Sequence, residues 1–306
     1  MNISKITLGT AQLGMNYGIA NVSGKPEIEK ALKILNYAWE NGINSFESSP
    51  LYGNSEKIIG LFISELKENL KKDIVIISKL PAVKNNCKLN YKDIYEYIKN
   101  KIKISLNNLK LNCIPIYLLH HAPDINIKDG LVIKCLNQIK KEGLINQIGI
   151  SIYNLKEVEE ALKFREIDII QLPLNIFDHR LIKSGLLKRL NKYGYTILAR
   201  SIYLQGLFFL SPEKLPDYLK IAKQPLLKLR DLAREYHIDI AKLAFLYVRD
   251  LSEITSLVIG AENVNQLANN LKFLDEKALS SELSNILIEE FSDLSDKIIN
   301  PSLWNK

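Results

Sequence analysis

Short apolar or β-branched runs alternate along this chain with longer stretches in which apolar residues recur every three to four positions. A period of two over a few residues marks a strand, and a period near 3.6 over ten or more marks an amphipathic helix. The short runs predict strands at Ile6–Gly9, Ser45–Glu47, Ile74–Ser78, Ile116–His120, Gln147–Ser151, Ile169–Gln171, Thr196–Arg200 and Ser256–Ile259. The longer stretches predict helices over 27–41, 54–70, 90–108, 128–142, 155–163, 182–193, 223–237 with 240–249, and 264–274. Asn41-Gly42, Glu142-Gly143 and Tyr193-Gly194 supply the glycine stops at which such helices end. A further amphipathic segment, 279–296, follows the eighth unit, and Pro301 to Lys306 is expected to be loosely held.

Strand and helix alternating in this way build a parallel sheet covered by helices. Eight strands are the number that closes a barrel, and 306 residues suit one (β/α)8 TIM barrel better than two mixed domains. We therefore expect a single domain over 1–306, with 279–306 as a C-terminal helix and tail. An open doubly wound sheet uses the same alternation but usually carries G-x-G-x-x-G after its first strand, and none follows Ile6–Gly9.

Composition narrows the setting. A domain of this size buries about three quarters of its unfolded surface, so it needs no disulfide or metal staple. Cysteines 87, 113 and 135 are odd in number and lack C-x-x-C spacing, which reads as structural thiols in a reducing compartment. The net charge of +7 is carried by lysines such as Lys99, Lys101, Lys103 and Lys110 at helical spacing, the pattern of solvated helix faces rather than of a nucleic-acid surface. At most the excess helps to attract an anionic cofactor or substrate. Met1 to Ile6 has no signal-peptide pattern, and no apolar run approaches the roughly 20 residues of a membrane span, so the expected location is the cytoplasm, with no membrane or nucleic-acid partner.

In a (β/α)8 barrel the working residues stand at the carboxyl ends of the strands. Here those positions hold Glu47 and Tyr52, Lys79, His120, Ser151, Gln171 with Asn175, and Arg200. A tyrosine hydroxyl, with an ordinary pKa near 10, donates a proton poorly at neutral pH unless neighbours assist. A lysine ammonium beside it favours the phenolate, and a buried carboxylate keeps the ammonium charged. Such a set could protonate a carbonyl oxygen as hydride reaches the carbon, or act in reverse on an alcohol. Each residue also has an ordinary structural role to set against this one: Tyr52 as a half-buried ring, Lys79 snorkelling from a strand end, Glu47 capping the helix near Asn54, Gln171 and Asn175 satisfying backbone groups. His179 and His237 lack partner spacing and read as surface residues. No i, i+4 histidine pair or Cys/His cluster points to a metal.

The stretch Gly42-Ile-Asn-Ser-Phe-Glu-Ser-Ser-Pro-Leu-Tyr-Gly-Asn-Ser-Glu56 resembles the second-strand signature of aldo-keto reductases. Ile77-Ser-Lys79 is similar to their lysine strand and Tyr117-Leu-Leu-His120 to their histidine strand. Further matches are Ile148-Gly-Ile-Ser151, Gln171 with Asn175, Arg200-Ser201 with Gln205-Gly-Leu207, and Val258-Ile-Gly-Ala261 with Gln266 to Asn270. Together they cover residues 5 to about 274. The resemblance implies NAD(P)(H)-dependent interconversion of carbonyls and alcohols, with a catalytic tetrad of Glu47, Tyr52, Lys79 and His120. It implies that Gly9 and Thr10 border the cofactor, that Ser151 and Gln171 hold the nicotinamide carboxamide, and that Arg200 stands where many members stack an aromatic ring. Ser201 and Gln205 to Leu207, Gly206 between them, would follow the pyrophosphate, while Gly260, Ala261, Glu262, Gln266 and Asn270 would surround the adenosine end. The helix near Asn263 would add backbone N–H groups suited to an anion.

Two positions depart from the family pattern. The tetrad carboxylate is usually aspartate, and this chain has the longer Glu47. Where many NADPH-using relatives carry arginine for the 2′-phosphate, it has Glu262 and Gln266, which leaves NADPH or NADH open. Gln12, Tyr17, His121, Asp178 and His179 are expected at the substrate mouth; their polarity leans toward a sugar derivative or other hydroxylated carbonyl or alcohol. Two other readings stay open: a nucleotide-binding regulatory barrel with little turnover, as in potassium-channel β subunits, and a nicotinamide-assisted sugar epimerase or dehydratase.

Overall fold

The computed structural model describes residues 2–83 and 90–304; Cys87 lies outside them. Eight parallel strands, β1 (Ile6–Gly9), β2 (Ser45–Glu47), β3 (Val75–Leu80), β4 (Ile114–Leu119), β5 (Ile145–Ser151), β6 (Ile169–Pro173), β7 (Thr196–Arg200) and β8 (Ser256–Gly260), close into a barrel in chain order. Closure comes from β1 pairing with β8, Ile6 opposite Leu257 and Gly9 opposite Gly260. The predicted strands are all present, shifted at their ends: β3 runs past Ser78 so that Lys79 lies within it, and β4 stops one residue before His120.

Period-two alternation sorts each strand into an inner and an outer face. Val75, Ile77, Ile116, Leu118, Ile169, Leu198 and Val258 form a small cluster filling the barrel interior. The outward residues join the helices in one large outer core. The barrel floor is polar: Thr7 Oγ1 lies 2.9 Å from Ser45 Oγ and 2.7 Å from Ser256 Oγ, tying β1 to both neighbours. Stepping upward by two from these inner positions gives Gly9, Glu47, Lys79, His120, Gln171, Arg200 and Gly260, all at the carboxyl rim.

The covering helices are α1 (Ala11–Gly14), α2 (Ile28–Glu40), α3 (Ser55–Glu65), α4 (Tyr91–Leu109), α5 (Leu131–Lys141), α6 (Leu155–Ala161), α7 (Arg180–Lys183), α8 (Leu186–Lys192), α9 (Lys223–Glu235), α10 (Ile240–Arg249), α11 (Val264–Lys272), α12 (Ser281–Glu290) and α13 (Asp296–Ile299). The helix expected over 182–193 is two pieces, because Gly185 is left-handed at φ +71° and interrupts it. The one expected over 54–70 stops at Glu65, where Leu66 turns extended before a 3-10 segment at Glu68–Asp73. The segment after 300 is not loose as far as it is described: Trp304 is buried and its indole donates to the Lys297 carbonyl at 3.0 Å. No helix among the described residues is long and apolar enough to cross a membrane.

Candidate active site

One cavity of about 740 Å3 opens at the carboxyl rim of the barrel. Glu47, Tyr52, His120, Ser151, Gln171 and Arg200 line it, with Gly9, Gln12, Tyr17 and Gly260. Lys79 sits just beneath, 1% exposed.

Tyr52 reaches the rim on the loop between β2 and α3, and that loop is pinned against α1. A Cβ on Gly14 would stand 1.9 Å from the Tyr52 carbonyl oxygen, and Gly53, at φ +57°, faces the Gly14 carbonyl. Neither position accepts a side chain without moving the Tyr52 backbone. Thr10, one residue past β1 and facing outward, reinforces the join, its hydroxyl donating to the Glu47 carbonyl at 2.9 Å and bonded to Ser55.

Lys79 Nζ donates to the Tyr52 hydroxyl oxygen at 2.9 Å and to the Ser48 carbonyl at 3.3 Å, and it contacts the Glu47 carboxylate directly. Gln171 Nε2 donates to the same Glu47 oxygen at 3.2 Å. Glu47 caps no helix. Its extra methylene, relative to aspartate, is absorbed without losing the ammonium. Because Lys79 donates to the tyrosine oxygen, the phenolic hydrogen is left to point toward a partner in the cavity. The His120 ring meets the Tyr52 ring edge-on at 5.9 Å, and its Nδ1 lies 3.2 Å from Ser49 Oγ.

Burial pushes the Tyr52 hydroxyl above its ordinary value, with Tyr17 acting the same way and Arg200 opposing. The expected lowering by Lys79 is thus outweighed by desolvation, and the hydroxyl remains a proton donor at neutral pH. Burial likewise draws the Lys79 ammonium down, Arg200 adding to the effect, against the attraction of Glu47. His120 is pulled down to about 3, first by burial and then by Lys79 and Arg200, so its ring is neutral at pH 7. A protonated hydroxyl, a cation behind it and a neutral imidazole beside it are suited to giving a proton to a carbonyl oxygen and stabilising the phenolate that remains.

The far side of the cavity is lined by Ser201, Tyr203, Gln205, Gly206, Asp239, Glu262, Gln266 and Asn270. Ser201, Leu204 and Gln205 have positive φ, a strained run at a cavity wall. The loop after β1 crosses to meet it, Ile19 N donating to the Gln205 carbonyl at 2.9 Å. Asn263 caps α11 by accepting from Gln266 N, and Gln266 Oε1 accepts from Glu262 N at 2.8 Å.

Several expected residues do not reach the cavity. Thr10, Leu207 and Ala261 are buried; Thr10 and Ala261 follow inward positions by one and so face outward. His121 likewise turns away from His120 and pairs with Asp124 at 2.7 Å. Asp178 is held by Arg180 at 2.8 Å, and Asn175 Nδ2 donates to the Ser201 carbonyl at 3.2 Å. His179 is not a surface residue: it is 2% exposed, with Nδ1 2.6 Å from the Tyr247 hydroxyl. Conversely, Tyr153, Tyr203, Asp239, Phe273 and Pro301 line the cavity unannounced. Tyr153 follows Ser151 by two, a spacing that could have flagged it; Tyr203, Asp239 and Pro301 stand at loops and helix starts without periodic signal, and Phe273 closes α11 at its C-terminal end.

An oxidoreductase of Bacillus subtilis without an assigned substrate is 28% identical over 91% of this chain and 93% of its own length. The NADH-specific methylglyoxal reductase of Escherichia coli is 26% identical over 89% of this chain and 94% of its own. Among solved structures, an aldo-keto reductase of Bacillus halodurans in its holo form superposes with a TM-score of 0.74 at 22% identity, covering 94% of this chain and 92% of that one. The profile of the aldo/keto reductase family matches residues 5–289, and the chain belongs to that family of oxidoreductases.

Proposed function

We propose that the protein interconverts an aldehyde or ketone and the corresponding alcohol, with Tyr52 giving the proton to, or taking it from, the substrate oxygen. The observation that carries this reading is the bridge formed by Lys79 between Glu47 and the Tyr52 hydroxyl at a cavity wall. Lys79 holds positive charge behind the oxygen that becomes a phenolate, Glu47 keeps that charge in place, and neutral His120 orients the substrate oxygen.

A nicotinamide dinucleotide fits the remaining walls. Gln171 Oε1 is a buried acceptor with no partner among the described residues, beside Ser151 on the paired strand, where an amide N–H would satisfy it. Gly9 and Gly260, paired across β1 and β8, line the cavity, the Gln12 amide lying against Gly260. Ser201 and Gln205 with Gly206 would hold the pyrophosphate, and Glu262, Gln266 and Asn270 the adenosine end. When bound, the reduced nicotinamide supplies the hydride.

Asp239 and Glu262 both line the adenosine side, and among the described residues Arg200 is the one lysine or arginine lining the cavity. Acidic groups there disfavour a 2′-phosphate, so NADH is the preferred cofactor, in keeping with the name of the Escherichia coli relative. The lean toward a sugar substrate loses support, because His121, Asp178 and His179 do not face the cavity.

Tyr52→Phe tests the reading: turnover of simple aldehydes should fall by about 10²-fold or more while NADH affinity stays within a few fold. Retention of more than a tenth of parental kcat would remove Tyr52 from the chemistry.

A further inference from the structure

Arg200 closes β7 on the inner face, two residues above Leu198 of the barrel interior. Its guanidinium lies 4.2 Å from the centre of the Tyr153 ring and donates to the Ile152 carbonyl at 2.9 Å and to Ser201 Oγ at 3.2 Å. A guanidinium carries five N–H groups, so three remain after these bonds. No carboxylate among the described residues pairs with it, whereas Arg180, Arg189 and Arg249 each have one. Glu47, which lines the same cavity, is already engaged by Lys79. Arg200 is thus a half-buried cation, fixed by stacking and two neutral acceptors, with its charge unanswered. Partly desolvated charges usually have a counter-ion, and here the open side is the cavity shared with Tyr52.

We propose that Arg200 binds a carboxylate carried by the substrate, so that the preferred carbonyl compound is a short oxo acid or aldehyde acid. The proposal rests on the reading of Tyr52 as the proton donor, which fixes the other end of the substrate. A carboxylate matches one guanidinium in charge and can meet it through two N–H groups, while a phosphate dianion would be left half-neutralised. Stacking on the nicotinamide is the weaker use of this residue, because the oxidised ring is itself a cation and would be repelled. Tyr17, half-buried and hydrogen-bonded to the Gln205 side chain, supplies a neutral wall opposite.

The test is calorimetric titration of the protein saturated with NADH. Oxamate should bind at least about tenfold more tightly than neutral oxamide, a margin lost in Arg200→Gln and partly kept in Arg200→Lys. In rates, kcat/KM for succinic semialdehyde should exceed that for butanal by a similar factor, and the ratio should fall toward one in Arg200→Gln. Equal binding of oxamate and oxamide by the parent overturns the proposal. So does tighter binding of glycerol phosphate than of oxamate, or an Arg200→Gln variant that loses NADH affinity yet keeps the preference for oxamate. Discrimination in titration without reduction of either aldehyde supports the anion site and sinks the role of Tyr52; reduction of both aldehydes without discrimination does the reverse.

Discussion

Replacing Lys79 by methionine leaves the Glu47 carboxylate without its cation in a place with little access to water. The two side chains are 1% and 6% exposed. Breaking a pair buried to this degree by removing one partner costs about 3–5 kcal/mol, because the other charge stays desolvated. With an unfolding entropy of roughly 2.1 cal/mol/K per residue, a chain of 306 residues shifts its melting point by about 1.6 °C per kcal/mol, so Lys79→Met should melt roughly 5–8 °C lower. Glu47→Gln should cost less, since burial already draws the Lys79 ammonium down and it can shed its proton. The double variant Glu47→Gln/Lys79→Met leaves no charge of this pair buried and should recover to within about 1 kcal/mol of the parent, yet turn over at least about 10²-fold more slowly. Urea unfolding followed by circular dichroism gives the stabilities, and initial rates of NADH oxidation give the turnover. Lys79→Met as stable as the parent would refute a charged, buried pair; a double variant no more stable than Lys79→Met would refute the account of why the single one fails.

Two further outcomes follow from the same geometry. Glu262→Arg should move the ratio of NADPH to NADH dissociation constants by about tenfold or more toward NADPH; a parent that already binds NADPH more than tenfold tighter would show that Glu262 does not face the ribose. Acid should destabilise the protein between pH 6.5 and 4: burial holds His120 at about 3 and His179 at about 4, so below the unfolded value near 6.5 the unfolded chain binds more protons. The stability these rings contribute is complete above pH 6.5 and falls by up to about 1.4 kcal/mol per pH unit per histidine on acidification. Urea midpoints at pH 7, 5.5 and 4.5 should decline, less so in His179→Gln, and a midpoint that rises toward pH 4.5 would contradict this.

The barrel and its rim were legible because both rest on short-range regularities. Alternation along Ile116, Leu118 and His120, or along Val75, Ile77 and Lys79, carries an apolar inner face into a polar rim position at the strand's end. The same parity explains the misplacements: Thr10, His121 and Ala261 each follow an inward residue by one and so face away. Asp239 was hidden for another reason. Its side chain caps α10, accepting from Ala241 N and Lys242 N, and a capping aspartate looks the same in sequence whether or not a cavity lies beside it. Pro301 and Trp304 stand at the end of a stretch with no periodicity, where burial depends on what the barrel offers rather than on local pattern.

Because strand order around the barrel equals order along the chain, the two halves of the site differ in how they come to exist. Glu47 and Lys79 lie in, and His120 directly follows, three consecutive strands, so their meeting needs only local loops to close. Gly9 and Gly260 become neighbours through the one pairing that joins the first strand to the last, Ile6 with Leu257, and the entropy of closing that loop is the largest any strand pair here must meet. If a dinucleotide sits across that junction as proposed, it would act as a clasp on the seam of the barrel, and its binding free energy would add to the contact that spans most of the chain. Cofactor concentration would then set how often the seam opens in amide exchange, leaving β2 to β4 comparatively indifferent.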